Sequence, residues 1–428
     1  MKKTTACFVF LLFVGVHCFA QKNKCDVAQT PIVFVHGFMG SGDNWATQIQ
    51  RFSSNGFCED RMFVFDWNSF GSKNNVEGLN DLINKVLYQT GALKVDLVGH
   101  SAGGKLCYDY LNDSIRALKV AHYVHTGSFP MKHAAGLHAE IATLNIYSTD
   151  DRVLRQRSDI PGAKNVKFSG YDHLQTATGK ETFAAMYAFF TGRVPVHEDI
   201  VVSADKYKHA VVKGVVLGEN TQLRGDSIRV FAIDPKTGNH LTLKEKAGLY
   251  GQWKSLDSAG RLELFLLKDT YSEIELRPKS GRRLFYYIEP LPRDNNNIYL
   301  RTLPVTGVAS MMLGKLPADD QQVALVIFTA NNAVIAGRDS LALDSIALST
   351  TTLMPAQKTS IACFVFDDGD GKSSGRALTS LANAPFISGM DVFIKAGEKE
   401  TMRVYYNGRS VVVPKRSSGE GISVVVFE

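Results

Sequence analysis

Val95-Asp96-Leu97-Val98-Gly99-His100-Ser101-Ala102-Gly103-Gly104 is a short apolar run that ends in Gly-x-Ser-x-Gly. A strand that stops, turns through a serine and enters a helix presents that hydroxyl at its carboxyl end, where Oγ can attack an acyl carbonyl. Such a turn is strained, and side chains at Gly99 and Gly103 would meet neighbouring backbone. A neutral alcohol is a poor nucleophile and needs a base to accept its proton. His173 is the candidate base. Its imidazole needs a carboxylate to fix the tautomer and stabilise the charged form. Asp151 is the choice, with Asp150 the adjacent alternative, whereas Asp172 is too close in sequence to His173 to favour pairing with the same ring. The tetrahedral oxyanion needs backbone N–H donors. Ala102, after the serine, and Phe38, in His36-Gly37-Phe38, are the candidates, and His36 reads as a brace for that loop. Met39 and Leu174 adjoin these loops and are the candidate substrate contacts.

Gly371-Lys372-Ser373-Ser374-Gly375 also fits Gly-x-Ser-x-Gly. It follows the turn-forming cluster Asp367-Asp368-Gly369-Asp370, so no strand leads directly into its serine, and it reads as a hairpin loop. The same acidic cluster carries oxygen ligands suited to calcium but misses the EF-hand spacing. No metal and no cofactor is expected.

The elements around Ser101 alternate. Apolar strands are expected at 32–35, 62–65, 95–98, 120–124, 142–147 and 164–168, with helices at 44–52, 76–88, 102–112 and 181–190. Continuous apolar strands separated by helices predict an α/β fold with a mostly parallel, doubly covered sheet. Ligands in such sheets bind beyond the carboxyl ends of the strands. The Phe38 loop, Ser101, Asp151 and His173 each follow a strand, in the chain order Ser, Asp, His.

The 428 residues are 45% hydrophobic and 21% charged, a globular composition that indicates neither disorder nor a multispan membrane protein. The net charge of +6 is scattered, and no nucleic-acid partner is expected. Lys2 and Lys3 precede the apolar run Ala6 to Val16, which reads as an export signal over residues 1–20, cut before Gln21. The mature chain is expected to be secreted or periplasmic, without a transmembrane segment. Two of the six cysteines lie in that signal. Cys25 and Cys58 each precede a strand, so a disulfide between them is plausible in an oxidising compartment, while Cys107 and Cys363 read as buried thiols.

Pro31-Ile32-Val33-Phe34-Val35-His36-Gly37-Phe38-Met39-Gly40 and Val98-Gly99-His100-Ser101-Ala102-Gly103 resemble bacterial triacylglycerol lipases of the compact, lidless α/β-hydrolase kind. Ile146-Tyr147-Ser148-Thr149-Asp150-Asp151-Arg152-Val153 is similar to that family's acid loop, which the resemblance places on Asp151. Asn165-Val166-Lys167-Phe168-Ser169-Gly170-Tyr171-Asp172-His173 is similar to its histidine loop. Phe52-Ser53-Ser54-Asn55-Gly56-Phe57 and Glu181-Thr182-Phe183-Ala184-Ala185-Met186 resemble an archaeal lipase with a β-rich C-terminal domain associated with lipid binding. Against that relative the long lid insertion is missing, and Thr126 stands at its acid position. The resemblance implies an open, apolar mouth lined by Phe38, Met39 and Leu174, with Trp45, Trp67, Phe70, Phe129 and Met131 as further candidates.

After Val194-Pro195-Val196 short alternating strands and turns take over, an all-β pattern of sandwich-like modules. The expected organisation is a catalytic domain at 21–195, a module at 200–303 similar to the transthyretin-like domains appended to carboxypeptidases, and a second β module at 304–428. The implied function is hydrolysis of carboxylic esters of lipids through an acyl-enzyme on Ser101, with lipid-surface contact through the β modules. A polyester or polysaccharide-ester hydrolase and a non-catalytic adhesion protein are the alternatives.

Overall fold

Six parallel strands form the first sheet: β1 (Ile32–Val35), β2 (Met62–Phe65), β3 (Val95–His100), β4 (Val120–Thr126), β5 (Ala142–Ser148) and β6 (Lys164–Phe168). In this computed structural model the described residues are 25–71, 74–243, 250–306, 310–311, 316–397 and 399–428, so the expected export signal lies outside them. The sheet order is β2-β1-β3-β4-β5-β6, with every neighbouring pair parallel. Strands buried on both faces need apolar side chains at successive positions, and β1 is fully buried along Ile-Val-Phe-Val.

Six helices cover the sheet: α1 (Ala46–Ser54), α2 (Asn75–Thr90), α3 (Ala102–Leu111), α4 (Ser114–Ala117), α5 (Gln175–Thr178) and α6 (Lys180–Thr191). In α2, Leu79, Ile83 and Val86 recur at helical spacing and are the residues it buries, and the helix stops at Gly91 in the left-handed region. One face of the sheet buries Val33, Val35, Leu97 and Tyr123 under α2 and α3. The other buries Ile32, Phe34, Val98 and Leu144 under α1 and α6. The Cys25–Cys58 disulfide ties the entry to β1 to the entry to β2, and Cys107 and Cys363 are free and buried.

The described residues from Tyr207 on are mainly β-strands. An eight-stranded sheet runs in the order Ile387–Asp391, Ala362–Phe366, Leu325–Thr329, Ile422–Phe427, Leu284–Ile288, Tyr271–Arg277, Ser227–Ile233 and Lys254–Ser255. A three-stranded sheet (Arg261–Leu267, Tyr207–Val216, Asn295–Thr302) and a four-stranded sheet (Ile346–Ala347, Leu341–Leu343, Thr401–Tyr406, Arg409–Pro414) complete it. Strands from 200–303 and from 304–428 share the largest sheet, because Leu284–Ile288 pairs in parallel with Ile422–Phe427. That pairing joins segments more than a hundred residues apart, which no local pattern announces.

The second Gly-x-Ser-x-Gly lies between Ala362–Phe366 and Ile387–Asp391. Those strands are parallel, so the segment is a crossover loop and not a hairpin. Among the described residues no helix is long and apolar enough to cross a membrane.

Candidate active site

Ser101 joins β3 to α3 with φ 55° and ψ −124°, a conformation that non-glycine residues seldom adopt. The surrounding glycines are needed for close approach. A Cβ on Gly99 would lie 2.8 Å from Gly104 Cα, and one on Gly103 would collide with the His36 carbonyl oxygen. Ser101 N–H donates to Thr126 O at 3.1 Å, and Ser128 Oγ donates to Ser101 O at 2.6 Å, so both sides of the turn are tied to β4 and the loop after it.

His173 follows β6 and reaches both partners. Its Nε2 lies 2.9 Å from Ser101 Oγ and its Nδ1 2.7 Å from Asp151 Oδ2. A carboxylate only accepts, so Nδ1 carries the proton and Nε2 is free to accept from the serine. Asp151 is buried, and its Oδ1 accepts from the Val153 and Leu154 amides at 2.8 and 3.2 Å. Burial pushes its carboxyl up, but the His173 hydrogen bond and charge and the two amides outweigh burial and leave it below the usual range. Asp150 is exposed and accepts from Gly170 N–H at 2.7 Å, away from the imidazole. Thr126 is buried and donates to Thr176 O, so β4 ends without a carboxylate.

The Phe38 loop follows β1 and passes directly over the serine, since a Cβ on Gly37 would lie 2.9 Å from Ser101 Cβ. Phe38 and Leu174 line the cavity at Ser101 with His100 and His173. Met39 does not. It adopts φ 60° and its side chain is buried in the apolar core of the C-terminal β region, which corrects its expected role as a substrate contact. Trp45 is fully buried beneath the sheet, Trp67 and Met131 pack on the opposite core, and Phe129 is exposed.

The mouth is narrower than expected. Thr359, Ile361 and Phe386, all from the C-terminal β region, complete the cavity, which has a volume of about 20 Å³. A cleft of about 500 Å³ lies elsewhere, between Met62, Val64 and Leu82 on one side and Lys213, Arg261 and Asn297 on the other, and does not reach Ser101.

Apart from His36, which the sequence marks as a brace, the residues that hold the site carry no sequence signal of their own. His100 is buried at the end of β3, and its Nε2 donates to His173 O at 3.0 Å. Burial and the neighbouring His173 charge lower its pKa to about 3, so it stays neutral. His36 donates from Nδ1 to Gly37 O at 2.7 Å and accepts at Nε2 from Trp67 N–H and from Asn220 Nδ2. Asn220, in the β region, also donates to Gly40 O and Trp67 O and accepts from Ser41 Oγ. Asp172 accepts from the Leu174 and Gln175 amides on one oxygen and from Ala333 N–H and Arg338 on the other. Its burial raises its pKa against the pull of those donors. Asp43 and Arg301 form a buried ion pair at 2.5 Å, beside Asp66, which accepts from Tyr299 OH at 2.6 Å. Asp367, Asp368 and Asp391 bring carboxylate oxygens within 4.8 Å of one another, far along the chain from the serine.

Residues 29–112 match the family model of lipase (class 2), a stretch that contains β1, the Phe38 loop and the Ser101 turn. Residues 314–427 match a second model, for a C-terminal domain. Among solved structures the chain is similar to an esterase from Rhodococcus sp. ECU1013, at 15% identity over 40% of this chain and 93% of that one, with a TM-score of 0.31. It is similar to a Bacillus licheniformis lipase in mature form at 17% identity over 39% of this chain and 94% of that one, with a TM-score of 0.31. The third is Aspergillus fumigatus lipase B, at 13% identity over 40% of this chain and 54% of that one, with a TM-score of 0.32. The parallel sheet with its serine turn defines an α/β-hydrolase. With the lipase (class 2) match across that turn, the chain is a carboxylic ester hydrolase.

Proposed function

We propose that this protein is an exported serine hydrolase that cleaves carboxylic esters through an acyl-enzyme on Ser101. The observation that carries the reading is the hydrogen-bonded line Ser101 Oγ, His173, Asp151. His173 Nε2 takes the serine proton as Oγ attacks the ester carbonyl. The imidazolium formed is stabilised by Asp151, and the backbone amides of Phe38 and Ala102 receive the oxyanion. The proton then passes from His173 to the leaving alcohol, and the acyl group stays on Ser101. Water, activated by the same imidazole, releases the acid and restores the serine.

Hydrolysis of p-nitrophenyl butyrate by the full chain and by Ser101→Ala tests this. The substitution should lower the rate by at least roughly 10³-fold, and equal rates would sink the assignment. A fluorophosphonate adduct on the Ser101 peptide, absent from the alanine variant, gives an independent readout.

Export is supported by Lys2, Lys3 and the apolar run that follows, and by the Cys25–Cys58 disulfide. Retention of the protein in the cytoplasmic fraction with an unprocessed N-terminus would refute it. Lipid-surface contact by the C-terminal β region rests on the family resemblance, and flotation with phosphatidylcholine vesicles tests it.

A further inference from the structure

Three of the residues lining the cavity at Ser101 come from the C-terminal β region and not from the hydrolase sheet: Thr359, Ile361 and Phe386. Phe386 lies just before the strand Ile387–Asp391 with φ 60°, a conformation few non-glycine residues take up. That backbone turn aims the ring at the catalytic loops. Its plane is nearly parallel to the His173 imidazole, with ring centroids 5.9 Å apart and an interplanar angle of 16°.

The ring sits on a fixed support. Phe386 O accepts from the Ile361 and Ala362 amides at 2.8 and 3.2 Å, the contact that begins the pairing of Ala362–Phe366 with Ile387–Asp391. Ile387, Ala384 and Leu381 beside it are buried in the β core. Behind the histidine, Arg338 and Ala333 N–H grip Asp172, so the β region holds the loop that carries His173 as well as covering it. Moving the Phe386 backbone would break that strand pairing, so the turn that carries the ring is fixed.

The cavity left beside Ser101 is about 20 Å³. One water-sized sphere needs roughly 10–15 Å³ on the same measure. That is room for the methyl of an acetyl group or little more, and a fatty acyl chain exceeds it many times over. We propose that Phe386, Ile361 and Thr359 form the specificity-determining wall of the acyl pocket and confine this enzyme to esters of short acyl groups. The proposal rests on Ser101 being the nucleophile.

The test compares kcat/KM of the full chain for p-nitrophenyl acetate, butyrate and octanoate, in the wild type, Phe386→Gly and Ile361→Ala. Glycine suits the positive φ and removes the ring, while Ile361→Ala opens the same wall without touching that backbone turn. The wild type should prefer acetate over octanoate by at least roughly tenfold, the scale on which one misfitting methylene is discriminated. The octanoate-to-acetate ratio should rise by roughly tenfold or more in each variant. A wild type that prefers octanoate, with or without detergent micelles, overturns the proposal. So does a ratio that neither variant changes. Acetate hydrolysis that survives Ser101→Ala would instead refute the nucleophile, so the two failures are separable.

Discussion

At the scale of single residues, two adjacent carboxylates have different fates. Asp151 turns inward to His173 and its oxygens are saturated by the imidazole and two amides, whereas Asp150 caps the Gly170 turn in solvent. Asp151→Asn should therefore lower kcat roughly 10⁴-fold, because an amide at this position favours the wrong imidazole tautomer. Asp150→Asn should leave kcat within a few-fold of wild type. Steady-state rates on p-nitrophenyl butyrate check both, and the reverse pattern would move the acid to Asp150. Ser101, His173 and an aspartate at 150 or 151 stand out in the sequence because each follows an apolar strand, and the resemblance to the family's acid loop is what favours Asp151 over Asp150. Met39 was misread because adjacency to the loop says nothing about direction. Its left-handed φ turns the side chain into the β core.

At the scale of elements, the loop after β1 depends on a residue from beyond the hydrolase sheet. Asn220, itself at φ 54°, fills the loop's interior with hydrogen bonds to Ser41, Gly40, Trp67 and His36. Asn220→Gly keeps that backbone conformation accessible and deletes all of these bonds. Leaving such buried groups unpaired costs about 1–3 kcal/mol, and the loop they hold carries Phe38, the proposed oxyanion donor. The expected result is a kcat about tenfold lower with KM little changed, since the loop acts on the transition state. A variant that melts earlier but keeps its kcat would reduce Asn220 to a purely structural role. The strands and helices of the hydrolase sheet were readable from periodicity. The parallel pairing that turned the second Gly-x-Ser-x-Gly into a crossover was not, because strand direction is decided by partners distant in sequence.

At the scale of the whole molecule, the β region closes over the catalytic face, and both meet the buried polar groups this requires. His36, His100 and His125 are buried, and all have lowered pKa values, chiefly through desolvation; His100 is at about 3 and His125 at about 4. A base with a depressed native pKa binds its proton in the unfolded state first. Its contribution to stability is complete above about 6.5 and is lost as the pH falls from there toward the native value. For His125 the window runs from about 6.5 down to about 4, with a slope of about 1.4 kcal/mol per pH unit at most. Urea unfolding across that range should show a shallower acid loss in His125→Asn than in the wild type. Parallel curves would mean that His125 is protonated alike in both states.

The sequence by itself determined the parallel sheet, the serine turn and the order Ser, Asp, His, and made Cys25–Cys58 a disulfide the fold could form. These are carried by local signals: runs of apolar residues, glycines where no side chain fits, and cysteines placed just ahead of strands. Only the tertiary structure decided what stands over the site. Asn220 meets His36 across 184 positions, Arg338 meets Asp172 across 166, and Phe386 reaches His173 from the turn that leads into a strand of another sheet. No periodicity encodes such contacts. They exist because the folded β region brings three unrelated side chains to the carboxyl ends of β1, β3 and β6, where an open mouth had been expected.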